Sequence, residues 1–168
     1  MKTSTSVGFN RATMAETPTT YCLVKGTGDS NMELNAFDKA LLDAGVGDTN
    51  LMRVSSIVPP GCKEIYEVTL PKGALIPIAY AEITSSVPGD VLSAAVAVGI
   101  PEDDEEPGVI MEHEATQPLG KTRDVVEQMV ADAFEYRNRK LKEIKTVGIE
   151  HIVEVNGAAF AAAVLWYE

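Results

Sequence analysis

The chain has 168 residues, 45% of them hydrophobic, which is enough for one sizeable core and too few for two comfortable ones. Acidic residues outnumber basic ones by 25 to 14, so the net charge is −11 and the isoelectric point lies near 4.6. Such a chain repels polyanions, which argues against nucleic acid as a partner.

Neither a membrane anchor nor an export signal is recognisable. No apolar run reaches the roughly 18 residues that cross a bilayer, and the start MKTSTSVGFNRATMAE lacks the apolar middle of a secretory signal. Cys22 and Cys62 stand far apart and outside any CxxC pair, which favours free thiols in a reducing compartment. We therefore expect a cytoplasmic protein without a membrane partner, in which residues 1–17 form a flexible arm and residues 18–168 one domain.

The first ordered elements are predicted to be a strand and a short helix. Thr20–Lys25 (TYCLVK) is typical of a strand, which the turn-forming run Gly26–Asn31 (GTGDSN) would end. Apolar residues then recur at helical spacing, with Asn35 as the predicted cap and Gly45 as the residue that ends the helix.

The middle of the chain is predicted to be mostly sheet. Leu51–Val58 (LMRVSSIV) indicates a strand that stops at Pro59, because proline cannot donate to a sheet ladder. Three further strands are predicted over Ala74–Ser85, Val91–Ile100 and Gly108–Ala115. Two serines, Ser55 and Ser56, thus fall inside a predicted strand close to a sharp turn.

The last third predicts one long helix followed by two strands. An apolar stripe over Thr122–Leu141 indicates an amphipathic helix. Alternation returns over Val147–Val155, and Asn156-Gly157 is typical of a two-residue hairpin turn. Alanine in the closing AAFAAAVLWYE favours a helix, but the turn and the following valine and aromatic residues favour a strand, which we predict. Together these elements predict an α+β fold, a layered αββα-type sandwich of mainly antiparallel sheets with two main helices.

The histidines offer little for hydrolysis or metal binding. His113 and His151 are the only two, and no G-x-S-x-G nucleophile elbow is present, which argues against a serine hydrolase. On a strand His113 points away from Glu112 and Glu114, leaving too few convergent ligands for a metal ion.

Glu112 is the most interesting carboxylate. The alternation in GVIMEHEA places it on the same face of its strand as Ile110. If that face borders a pocket, desolvation raises the carboxyl pKa and makes Glu112 a general acid near neutral pH, whereas on a rim it is an ordinary solvated charge. The pair Ser55-Ser56 taken alone indicates nothing, since adjacent serines are common at strand ends.

Four segments together resemble one enzyme family. NAFDKALLDAGVGDTNLMRVSSIVPP resembles the processing region of the pyruvoyl-dependent arginine decarboxylases, and KGALIPIAYAEITSSVPGDVLSAAVAVGIP, GVIMEHE and GAAFAAAVLWYE are similar to the same family in the same order. The resemblance implies a sandwich of two sheets covered by helices, assembled as a homotrimer with active sites between neighbours.

The same resemblance implies that the chain cuts itself. The hydroxyl of Ser56 attacks the carbonyl of Ser55, and the products are a β chain of residues 1–55 and an α chain of residues 56–168 that begins with a pyruvoyl group made from Ser56. This covalently bound ketone is then the cofactor, without pyridoxal phosphate or a metal ion, and acts as an electron sink.

Five residues receive roles from the resemblance. Glu112 matches the proton donor, and Asn50 matches a processing residue whose amide holds the scissile carbonyl. Asp38 matches the carboxylate that binds the substrate guanidinium, with backbone carbonyls near Gly47 and Thr49 as further acceptors. The implied reaction converts L-arginine to agmatine and CO2 for polyamine biosynthesis.

Two alternatives stay open at this point. A related pyruvoyl enzyme acting on lysine, ornithine or an acidic amino acid would share the cleavage chemistry and differ in a few pocket residues. A protein of this fold that remains uncut would instead serve in small-molecule binding or assembly.

Overall fold

The computed structural model describes residues 16–167, so nearly all of the predicted arm, residues 1–17, lies outside it. The described elements are β1 (Thr20–Ser30), α1 (Glu33–Asp43), β2 (Asn50–Arg53), β3 (Ile57–Val58), β4 (Lys63–Ile65), β5 (Leu75–Ser85), β6 (Val91–Pro101), β7 (Gly108–Thr116), α2 (Leu119–Tyr136), β8 (Leu141–Ile152) and β9 (Asn156–Trp166). Neither of the two helices in this range combines the length and the apolar character that a bilayer crossing requires.

The strands form two sheets that pack face to face. One sheet has five strands in the order β2-β5-β9-β1-β4, and the other has four in the order β3-β7-β6-β8. Neighbouring strands run antiparallel except in the pairs β1–β4 and β2–β5. One apolar core lies between the sheets, a second between α1 and the five-stranded sheet, and a third between α2 and the four-stranded sheet. The predicted αββα sandwich is confirmed.

The first strand is longer than predicted. The run GTGDSN was expected to end it, but β1 continues to Ser30 and pairs with β9 along its whole length. The glycines serve close packing here, since a Cβ at Gly26 would lie 2.2 Å from the carbonyl oxygen of Ala40 and one at Gly28 would lie 2.1 Å from that of Ala36. Helix α1 therefore lies directly on the backbone of β1.

This close approach makes Gly28→Ala strongly destabilising. The added methyl group meets the backbone of α1, so the helix must move off the sheet, and we expect a loss of about 3 kcal/mol in the free energy of unfolding. Urea denaturation measures the loss. Gly120→Ala is the matched control, because its Cβ meets open space in α2 and should stabilise by about 0.5 kcal/mol. Equal midpoints for the two variants would contradict the packing argument.

The helix boundaries differ from the predicted ones. The predicted cap Asn35 is wrong, because α1 begins at Glu33 and Asn35 lies inside it, whereas the predicted end is confirmed by Gly45 with φ of 80°. The long helix was predicted to reach Leu141 but ends at Tyr136. Leu141 continues the apolar stripe because β8, which it opens, packs against the same core as α2.

The final hairpin also turns earlier than predicted. Asn156 and Gly157 already belong to β9, and the connection from β8 runs over residues 153–155. The carboxylate of Asp29 at the end of β1 stabilises this connection, because it accepts hydrogen bonds from the amides of Glu154 and Val155 at 2.8 and 3.0 Å. The predicted strand at the end of the chain is confirmed as β9.

Candidate active site

The two serines lie where the chain crosses from one sheet to the other. One continuous strand was predicted across them, which is wrong, because β2 belongs to the five-stranded sheet and β3 to the four-stranded sheet. The amide of Val54 donates to the carbonyl of Ile78 in β5 at 3.1 Å, and the carbonyl of Ser56 accepts from the amide of Ile110 in β7 at 2.8 Å. Ser55 lies between these two anchors, on the crossing itself.

The backbone of Ser56 is strained. Its φ is 68°, in the left-handed region that favours glycine and costs other residues about 1 to 3 kcal/mol. The strain adjoins the peptide bond between Ser55 and Ser56, and the hydrogen bonds on either side of the crossing maintain it. Cleavage of the peptide bond between Ser55 and Ser56 would release this backbone strain.

The side chain of Ser56 meets the carboxyl group of Glu112. Glu112 is half-buried on β7 opposite Val96, and the hydroxyl of Ser56 donates a hydrogen bond to its Oε1. Burial raises the carboxyl pKa of Glu112, an effect that Glu114 reinforces and that the hydrogen bond from Ser56 and the charge of Arg53 oppose. The raised pKa, expected if this strand face borders a pocket, keeps more of the carboxyl protonated near neutral pH.

Arg53 is a neighbour of this pair that sequence reasoning missed. Its Nη2 donates to the carbonyl oxygen of Tyr80 at 2.7 Å, and its guanidinium lies 4.0 Å from the centre of the Tyr80 ring. Burial also raises the carboxyl pKa of Glu82 on β5, and Arg53 lowers it. No local signal could have indicated the stacking, because it depends on the parallel register of β2 and β5.

The loop after α1 and the first residue of β2 together carry three of the predicted site residues. Gly47 packs so closely on Leu42 that a Cβ would lie 2.6 Å from that side chain. The hydroxyl of Thr49 donates to the carbonyl of Val46 at 2.7 Å. The amide Nδ2 of Asn50 donates to the carbonyl of Gly73 at 2.9 Å, which ties this loop to the start of β5.

Asp38 lies on the exposed surface of α1. No hydrogen bond or ion pair between residues 16 and 167 occupies its carboxylate, which is therefore free to accept a donor from outside the chain. It belongs to the outer layer of the sandwich, on the opposite face of the five-stranded sheet from the core between the sheets.

The predicted site residues thus form two groups within one chain. Ser56 is hydrogen-bonded to Glu112, whereas no hydrogen bond or ion pair among the described residues joins Asp38 or Asn50 to either of them. Asn50 opens β2, which ends at Arg53, and Ser55 lies two residues beyond that end, roughly 15 Å of extended chain from Asn50.

The described residues hold no cluster of three or more histidine, cysteine, aspartate or glutamate side chains that could bind a metal ion. Cys22 is buried and Cys62 half-buried, and both are free thiols. Burial raises the thiol pKa of Cys62 to about 11, so it remains protonated near neutral pH.

Comparison with known proteins identifies a class of pyruvoyl-dependent enzymes. A family model described as pyruvoyl-dependent arginine decarboxylase matches residues 20–168. The protein of that name from Methanocaldococcus jannaschii is 46% identical over 151 residues, which cover 90% of this chain and 92% of its own. Those from Methanococcus maripaludis strain C5 and Pyrococcus horikoshii are 45% and 38% identical, over 91% and 90% of this chain and 93% and 96% of theirs. The chain belongs to the pyruvoyl-dependent arginine decarboxylase family.

Proposed function

We propose that this chain cuts itself between Ser55 and Ser56 and then decarboxylates L-arginine to agmatine and CO2, with a pyruvoyl group made from Ser56 as its cofactor. The observation that carries the proposal is the hydrogen bond from the Ser56 hydroxyl to the half-buried carboxyl of Glu112, at a strained crossing between the sheets. The names of the relatives support arginine as the substrate. The agmatine formed feeds polyamine biosynthesis, and we assign the reaction to the cytoplasm.

Self-cleavage uses atoms of the two serines alone, with one water molecule. Oγ of Ser56 attacks the carbonyl carbon of Ser55, the peptide nitrogen leaves that carbon, and an ester replaces the amide. Loss of the proton on Cα of Ser56 breaks its Cβ–Oγ bond, so Oγ remains on Ser55 as part of a new carboxylate. Water then replaces the nitrogen on the remaining dehydroalanine, ammonia departs, and residue 56 becomes the ketone that begins the fragment 56–168.

The surroundings of residue 56 fit such a ketone. The Glu112 carboxyl lies within hydrogen-bond reach of its side chain, and the amide of Ile110 holds its carbonyl oxygen. When formed, the pyruvoyl group supplies an electron sink for the electron pair released as CO2 departs. Glu112, whose carboxyl pKa is raised by burial, is assigned the proton that the α-carbon of the substrate must receive. Neither pyridoxal phosphate nor a metal ion is part of this proposal.

We assign recognition of arginine to Asp38 together with the backbone near Gly47 and Thr49. Asp38 offers a planar two-point acceptor to the guanidinium, and backbone carbonyls near Gly47 and Thr49 accept its remaining donors. No hydrogen bond or ion pair among residues 16–167 joins this group to Ser56, so we propose that a neighbouring subunit supplies it, in the homotrimer that the family resemblance implies. Support comes from the edge positions of β2 and β3 in their sheets.

We assign Asn50 to the same proposed contact between neighbouring subunits. Its amide is too far along β2 to reach Ser55 of its own chain, so we assign its role in processing to the Ser55 carbonyl of the neighbouring subunit. There an amide donor would stabilise the oxyanion of the first attack.

Asp38→Asn should weaken arginine binding while cleavage continues. The amide keeps the shape of the carboxylate but loses its charge, and charge-assisted bonds of this kind contribute about 1.5 to 3 kcal/mol, so we expect KM to rise about 10- to 100-fold. Steady-state CO2 release from the fully cut variant measures it. Asp124→Asn on exposed α2 is the control and should leave KM unchanged. An unchanged KM in Asp38→Asn would remove Asp38 from the substrate site.

The function itself is tested by CO2 release from carboxyl-labelled amino acids. Arginine, ornithine, lysine and glutamate are compared with the same purified protein, and arginine should be turned over fastest. Faster release from another amino acid would replace arginine as the substrate. An uncut chain that releases no CO2 would instead indicate a protein kept for binding or assembly.

A further inference from the structure

The proposed cleavage leaves a carboxylate on Ser55 without a counter-charge, and the role inferred for Arg53 rests on that cleavage. Hydrolysis of an ordinary peptide bond creates a carboxylate and an ammonium group together. Here the nitrogen of Ser56 leaves as ammonia, and the ketone that replaces it is neutral. The new carboxylate on Ser55 therefore receives no counter-charge from the reaction that creates it.

Ser55 adjoins an acidic group, since the next residue, Ser56, is hydrogen-bonded to Glu112. Glu82 on β5 and Glu112 and Glu114 on β7 lie close enough to interact, since Glu114 raises the carboxyl pKa of both other residues. A further negative charge among these groups is unfavourable unless a cation accompanies it. Arg53 on β2 is the cation that acts on both Glu82 and Glu112.

The guanidinium of Arg53 is held in place and has donors to spare. Its hydrogen bond to the Tyr80 carbonyl uses one of five N–H groups, and the ring of Tyr80 lies against it. Among residues 16–167 no acidic side chain forms an ion pair with Arg53 within 4.0 Å. A planar fork of this kind matches a carboxylate at two points.

We propose that Arg53 binds the carboxylate that self-cleavage creates on Ser55 and so anchors the new end of the fragment 1–55. Arg53 lies only two residues before Ser55, on the strand that leads into the crossing. Before cleavage the other donors of Arg53 have no hydrogen-bond or ion-pair partner among residues 16–167, and cleavage creates a carboxylate two residues further along the chain. Arg53 thus acts in the cut protein, in a role distinct from those of the proton donor Glu112 and the nucleophile Ser56.

A comparison of cut and uncut chains tests this. Arg53→Gln is made in the self-cleaving chain and in Ser56→Ala, which lacks the new carboxylate. We expect Arg53→Gln to lower the midpoint of thermal unfolding by about 2 to 4 °C more in the cut protein than in the uncut one. Arg53→Lys, which keeps the charge, should recover part of the difference, and Arg123→Gln on exposed α2 should show none. Equal shifts of the midpoint in both backgrounds would overturn the proposal.

A second measurement needs no Arg53 variant and covers the case in which Arg53→Gln remains uncut. A carboxylate held by a guanidinium has a pKa below its ordinary value, so the stability it contributes is present above that ordinary value and is lost as pH falls. As pH falls from about 5 to about 2, through the ordinary pKa of a chain-terminal carboxyl and below it, the cut wild-type protein should therefore lose more stability than Ser56→Ala. Parallel losses would overturn the role of Arg53. The intact mass of the wild-type protein separates the two ideas, because an uncut chain overturns self-cleavage as well, and a cut chain with parallel losses overturns only the role of Arg53.

Discussion

Ser56→Ala should remain one uncut chain without decarboxylase activity. The variant lacks the hydroxyl that attacks the Ser55 carbonyl, so neither the ester nor the ketone can form, and turnover should fall to the uncatalysed background. Intact mass spectrometry after prolonged incubation measures cleavage, and CO2 release from arginine measures the activity. In the wild-type protein the same measurements should give two fragments and turnover.

Ser55→Ala provides the matched control for this variant. Ser55 contributes its carbonyl carbon to the reaction, and alanine keeps that carbonyl while removing only the hydroxyl. We therefore expect Ser55→Ala to cut itself and to retain activity. A normally split Ser56→Ala chain would exclude Ser56 as the nucleophile, and loss of cleavage in Ser55→Ala alone would move that role to Ser55.

Glu112→Gln should separate the two halves of the chemistry. Cleavage should go largely to completion, because the hydroxyl of Ser56 and the strained crossing are both retained, whereas decarboxylation should fall by about 10²- to 10⁴-fold through loss of the proton donor. The wild-type rate should decline as pH rises through the raised pKa of Glu112, since only the protonated carboxyl can donate. The pH profile of turnover by the fully cut Gln variant should lack this basic limb.

Glu114→Gln tests the same assignment from the neighbouring carboxyl. Glu114 does not contact Ser56 but raises the carboxyl pKa of Glu112, so its neutralisation should keep most of the activity and move the basic limb to lower pH. Full turnover by the Glu112→Gln variant would refute the role of Glu112 as the proton donor.

Much of the fold could be predicted because it follows from local periodicity. Strands β5, β6, β7 and β9 contain alternating or continuous apolar residues, and α2 has a helical stripe, so their existence was predicted along with the order of the layers. The errors arose where a tertiary contact overrides local preference. Turn-forming glycines continue β1 because α1 lies on them, and Leu141 extends the stripe of α2 although it belongs to β8.

The site was less accessible to reasoning from local pattern. Alternation alone placed Glu112 on the face of Ile110, and the structure shows the residue half-buried, with a carboxyl pKa that burial raises. The two serines drew attention only through the family resemblance, since nothing in LMRVSSIV indicates that the chain changes sheets there. Arg53 was missed because its partner Tyr80 is distant in sequence. The roles of Asp38, Gly47, Thr49 and Asn50 stay predictions.

The crossing at Ser55 and Ser56 has a consequence for how the protein matures. Residues 1–55 supply β1, α1 and β2, and β1 is hydrogen-bonded between β9 and β4, both from the later part of the chain. After cleavage the two fragments would remain hydrogen-bonded to each other within the same sheet. Because the crossing is held by Ile78 in one sheet and Ile110 in the other, the reactive geometry exists only after the sandwich has assembled. A nascent or misfolded chain would then not cut itself. The pyruvoyl group would form only in molecules that have completed folding.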